Sequence, residues 1–157
     1  MTSFENSYRL VVRRNIPAPR EVVYAAWIDP QGIQEWMCPG DATSAEAMLD
    51  VRVGGSYRIV MKGKTRDYVH TGIHQVVDPP AKLVFTWTRE ESDVATLVTV
   101  EFLARGNECE LVLTHERFPE AEIMKRYEGG WGQIAEKFAA YLVERSGTAA
   151  ASRRTAG

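Results

Sequence analysis

At 157 residues the chain fits one domain large enough to bury most of its apolar surface, and 45% hydrophobic with 25% charged residues reads as an ordinary globular protein. A formal charge of -2 offers no basic face for nucleic acid, the clustered pair Arg153 and Arg154 being too little. No run reaches the roughly 18 apolar residues of a membrane span. The start MTSFENSYR lacks the layout of a signal peptide, and Cys38 with Cys109 cannot make a disulfide framework, so the expectation is a cytoplasmic, reduced protein with neither membrane nor nucleic-acid partners.

RLVVRRN, 9–15, predicts a short strand, after which Pro17 and Pro19 punctuate the chain. Pro19 suits a first helical turn, so REVVYAAWI predicts a helix that Pro30 stops, and QGIQEW a second short helix ending near Pro39 and Gly40. From about Ala45 the period changes to two. MLDVRV, SYRIVMK, YVHTGIHQVV, KLVFTWT, ATLVTVEFLA and CELVLTH are short segments rich in Val, Thr and aromatics. The turn-type clusters Gly54-Gly55, GKTRD, DPPA, REESD and RGNE separate them, and such short connections favour an antiparallel meander.

After Pro119 a long helical pattern begins, with Met124, Tyr127, Trp131, Ile134 and Phe138 three or four apart, ending near Arg145. The remainder, SGTAAASRRTAG, has too little apolar content to pack, so the domain is expected over 1–145 and a disordered tail over 146–157. A one-faced sheet needs a cover, and the C-terminal helix is the element long enough to supply it. The predicted class is α+β: a curved antiparallel sheet of about seven strands wrapped around a long C-terminal helix, with two short helices closing one end.

Within that helix lies EGGWGQI, 128–134. Three glycines cost helix stability, about 1 kcal/mol each relative to alanine, so they are expected to allow close approach of the backbone to the sheet while Trp131 fills the space between. No GxxxxGK[ST] or GxGxxG occurs, and no nucleotide or other cofactor is expected.

His70 and His74 would make a metal pair on a helix, but YVHTGIHQVV reads as a strand, where four residues span about 13 Å, far beyond a shell with bonds of about 2 Å. No metal site is expected. In CELVLTH, alternation turns Leu111, Leu113 and His115 to one face, inward, making His115 the candidate acid/base, against a plain hydrogen-bonded role near the strand end. Cys38 is a candidate thiol at an entrance, against a small apolar filler. Asp67, Glu101 and Glu116 read as solvated, and Ser56 and Ser92 lie outside any nucleophile elbow.

Large apolar side chains carry more of the pattern. Trp27, Trp36, Met37, Met48, Tyr57, Ile59, Met61, Phe85, Trp87, Val98, Val100, Phe102, Trp131, Ile134 and Phe138 are the interior candidates, with Tyr57, His70 and His115 as polar features of a ligand cavity between sheet and helix.

Five pieces in order, DPQGIQEWMCPG, VGGSYRI, VVDPPAKLVFTW, LVLTHERF and EGGWGQIAEKFAAYL, carry a family resemblance over roughly residues 8 to 143. The chain resembles the helix-grip (SRPBCC) superfamily of pollen allergens, START-type lipid carriers and polyketide cyclases. Within it, the chain is similar to small bacterial proteins related to the heat-shock-protein-90 ATPase activator. The resemblance implies the helix-grip fold and admits a homodimer through the sheet edge. It leaves three functions: binding or sequestration of a small hydrophobic or aromatic molecule, a cyclase- or hydrolase-like enzyme using His115, and a co-chaperone. The chaperone activator carries an additional N-terminal domain not found in this sequence, which ranks the co-chaperone last.

Overall fold

The computed structural model describes residues 7–145 in full, apart from Asp93; for 146–157 it gives only the bounds of the last helix, so the expected disordered tail lies outside the described residues. The elements are β1 (Tyr8–Ile16), α1 (Arg20–Trp27), α2 (Pro30–Trp36), β2 (Ser44–Leu49), β3 (Ser56–Lys62), β4 (Asp67–Asp78), β5 (Lys82–Arg89), β6 (Thr96–Arg105), β7 (Glu108–Phe118) and α3 (Ala121–Ala156). The short turns force neighbouring strands to pair, and the sheet runs β1-β7-β6-β5-β4-β3-β2, antiparallel throughout. This is the expected helix-grip arrangement, with β1 and β2 as the open edges.

Local chemistry sets the short helices. Pro30 occupies the first turn of α2, where its missing N–H costs nothing, and the Asp29 carboxylate accepts from Gln31 N at 3.1 Å as the N-cap. Glycine lets α2 meet α3: a Cβ on Gly32 would lie 2.8 Å from the Tyr141 hydroxyl. Along α3, Trp131, Ile134, Ala135, Phe138, Ala139 and Leu142 are buried at helical spacing and face the sheet.

Three differences from the sequence reading concern local geometry. MLDVRV is not one strand: β2 ends at Leu49, and 50–55 forms a turn in which Gly54 takes φ 84° and Gly54 N bonds His74 O. Leu49 opposes the inward Tyr57, so Met48 faces outward and is 73% exposed. Met48 is therefore removed from the interior set. The glycines of EGGWGQI make no close approach to the sheet either. A Cβ on Gly129 or Gly132 would meet nothing within 4 Å, and one on Gly130 would only touch Pro39 Cβ at 3.6 Å.

Candidate functional site

The inward side chains divide the space under α3 into a packed end and an open end. At the packed end Trp36 lies tilted against Phe138 at 4.5 Å and Trp27 at 4.9 Å between ring centroids, and Phe102 packs edge-on to Trp27 at 6.2 Å. Trp27, Met37, Tyr57, Ile59 and Phe85 surround a residual space of about 30 Å³, room for one water. Val98 and Val100 are wholly buried under them. Trp27, Trp36, Met37, Tyr57, Ile59, Phe85, Val98, Val100 and Phe138 thus pack together in the buried core, apart from the open end. Apolar rings of this size close on one another wherever α1 and α2 seal the sheet.

The open end is a cleft of about 470 Å³ between the first turns of α3, the ends of β3, β4 and β5, and the loop at Pro39–Asp41. Met61, Trp87, Trp131 and Ile134 form its apolar floor, and His70 lines it. Of the interior candidates and polar features expected around a ligand cavity, these five come together here. Gly129 and Gly130 form one wall, so the glycines serve to leave space empty. The loop is tied to α3 by Gly40 N donating to Gln133 Oε1 at 2.6 Å and by Lys137 Nζ donating to Cys38 O.

His115 lies beside the floor, fully buried, and its chemistry is closed. The Trp131 indole can only donate, so its N–H at 2.9 Å fixes Nδ1 of His115 as an acceptor. A neutral ring then carries its proton on Nε2, which donates to Thr96 Oγ1 at 2.6 Å, and that hydroxyl donates to Trp87 O at 2.9 Å. Every member is satisfied. Burial pushes the imidazole down to about 3, with His70 nearby adding to the effect. Both nitrogens being engaged, His115 pins β6, β7 and α3 together.

Residue 117 helps build this corner. Arg117 adopts φ 72°, and the pairing register with β1 shifts beside it, so His115 and Phe118 both turn inward, 4.3 Å apart.

His70 is the opposite case. It is 4% exposed, stacked on Trp87 at 4.4 Å, with Nε2 3.2 Å from the Tyr127 hydroxyl. Nδ1 is buried with no partner, so in either tautomer one ring nitrogen is unsatisfied, a cost of about 1–3 kcal/mol. Burial first and the Arg89 guanidinium second lower its pKa to about 4, so it is neutral near pH 7. The Trp87 indole bears on the same Tyr127 hydroxyl without meeting hydrogen-bond geometry.

His74 does not share a site with His70. Its Nδ1 lies 3.0 Å from Gly55 O, and no cluster of metal-ligating side chains exists among the described residues. Both cysteines are free and buried; burial raises the Cys38 thiol pKa, Lys137 opposing it, and Cys38 does not line the cleft.

The polar rim went unread in the sequence: Arg89, Lys125, Arg126 and Tyr127 all line the cleft. Tyr127 had a legible signal, standing one turn before Trp131 on the same helix face. The cations had none, since charges on exposed strands and helices look alike whether or not they border a cleft.

Residues 17–143 match the family described as Activator of Hsp90 ATPase homolog 1-like protein. No curated protein matches the chain. Among solved structures, protein CV1439 of Chromobacterium violaceum is 23% identical over 87% of this chain and 96% of its own, with a TM-score of 0.73. Protein NE0264 of Nitrosomonas europaea is 16% identical, covering 88% and 96%, with a TM-score of 0.77. CalU16 of Micromonospora echinospora is 20% identical, covering 96% and 85%, with a TM-score of 0.70. These likenesses establish the fold. No helix among the described residues is long and apolar enough to cross a membrane.

Proposed function

We propose, for a chain that belongs to the Activator of Hsp90 ATPase homolog 1-like family, that it binds a small hydrophobic or aromatic molecule in the cleft beside Gly129 and Gly130. Membership of a fold family does not by itself carry an activity. The observation that supports this reading is the cleft itself: about 470 Å³ with a floor of two tryptophans, a methionine and an isoleucine, beside a buried imidazole nitrogen that lacks a partner. Its size and its mainly apolar lining with few polar groups match small-molecule sites. The cyclase or hydrolase alternative would require His115 to give up one of the hydrogen bonds that hold both of its nitrogens, which favours the binding reading.

Gly129→Leu tests the reading. A side chain there meets open space next to the cleft, so it fills the ligand's volume while improving helix propensity by about 0.5–1 kcal/mol. Titration of the parent with 2-naphthol, followed by tryptophan fluorescence, should saturate with a Kd on the order of 10 μM. Gly129→Leu should keep or raise the melting temperature and weaken binding at least about tenfold. Unsaturable binding to the parent, or equal affinity in the variant, would refute the site.

A further inference from the structure

The cleft's charges run against those of the chain. Its lining carries three cations, Arg89, Lys125 and Arg126, against the single carboxylate of Asp41, in a protein of formal charge -2. Asp41 Oδ2 accepts from the backbone Lys64 N at 3.3 Å. Arg89 contacts Glu91 at 3.0 Å, but that carboxylate is shared with Arg66 at 2.7 Å, so two guanidiniums face one anion. Lys125 and Arg126 have no carboxylate within ion-pair distance among the described residues. A surplus of positive charge therefore remains where the apolar floor begins.

The second observation is independent of charge counting. His70, 4% exposed and lining the cleft, leaves Nδ1 without a partner, and its other nitrogen meets Tyr127 on the helix that carries Lys125 and Arg126. Buried polar groups are ordinarily hydrogen-bonded, so this orphan is an unmet demand in the wall of the cleft, which a bound molecule meets only if the ring turns toward it. The Arg89 guanidinium acts on both His70 and Tyr127, opposed at Tyr127 by the Glu91 carboxylate.

We infer that the cleft selects an amphipathic monoanion, a flat apolar body bearing a carboxylate. The body lies on Met61, Trp131 and Ile134, and the carboxylate is held among Arg89, Arg126 and the His70–Tyr127 pair. This rests on the small-ligand reading above and narrows it. A guanidinium and a carboxylate match geometrically, and at a partly desolvated rim the attraction exceeds that of exposed pairs.

The experiment compares 2-naphthylacetic acid with 2-naphthylacetamide, alike in shape and apolar area, by calorimetry near neutral pH. The acid should bind about tenfold tighter at about 20 mM salt, and the gap should narrow toward about twofold at about 500 mM. Arg126→Gln should cut affinity for the acid about fivefold more than affinity for the amide. Should the acid and amide bind equally, or the amide more tightly, the monoanion inference fails while the hydrophobic site stands. Binding of neither overturns both. A preference for the acid that ignores salt and Arg126 also overturns the inference, since the charge would then be read elsewhere.

Discussion

Mild acid should loosen the fold before any carboxylate is involved. Folded His70 and His115 titrate near about 4 and about 3, against 6.5 for an ordinary histidine, chiefly because burial penalises the imidazolium. A depressed histidine pKa means that the unfolded chain binds more protons as the pH falls below 6.5, so stability present at neutrality is lost on acidification. Between about pH 7 and about pH 5 linkage removes about 2 kcal/mol per histidine, or about 4 kcal/mol together. That is a large part of the roughly 5–15 kcal/mol that holds a domain. Glu110, held low first by its hydrogen bond from Arg105, loses its contribution only at lower pH and does not confuse the interval. Urea denaturation at the two pH values measures the difference directly. His70→Phe keeps a ring against Trp87 and removes one titration, so its loss should fall to about 2 kcal/mol. A parent equally stable at both values, or a variant that loses as much as the parent, would refute the reasoning.

Other perturbations have definite outcomes. Gly72→Ala would place a Cβ 1.9 Å from Thr86 O and 2.5 Å from Tyr57 Cε1, where Tyr57 donates to that same carbonyl. β4 must shift, and a loss of at least about 3 kcal/mol is expected in thermal melts; a loss under about 1 kcal/mol contradicts the contact. Trp131→Phe strands Nδ1 of His115 and should cost about 1–3 kcal/mol, with retention of parent stability counting against the hydrogen-bonded pin. Cys38 and Cys109, buried with raised thiol pKa values, should resist a thiol-reactive chromophore in the native protein and react in denaturant. Rapid native labelling would show that the Pro39–Asp41 loop opens.

Alternation and turn chemistry were enough to read the fold, because β3 and β5 to β7 each carry bulky residues on one parity. Tyr57, Ile59 and Met61 face inward together, as do Val98, Val100 and Phe102. β2 resists the same reading: its inward parity holds Ala45, Ala47 and Leu49, while its bulkiest residue, Met48, faces solvent. Periodicity gives alternation but not which parity is inside, and an edge strand has least to decide it. The site was legible only in part. His115 was correctly placed facing inward, yet its role turns on Thr96 and Trp131, 19 and 16 residues away in other elements. A cavity is the place where packing fails to close. That depends on the path of 39–41 and on side chains that Gly129 and Gly130 lack, neither of which leaves a periodic mark.

Trp131 has two attachments: its ring is part of the floor that a ligand would touch, and its N–H locks His115 to the helix. Recognition and folding therefore meet in one side chain, and any change there that retunes the ligand is also a change in stability. Gly129, Gly130 and Arg126 border the same cleft without entering the buried network. A substitution at any of those three positions can therefore reshape the cleft while leaving the His115 pin intact, so the outer wall and the floor are separable parts of one site.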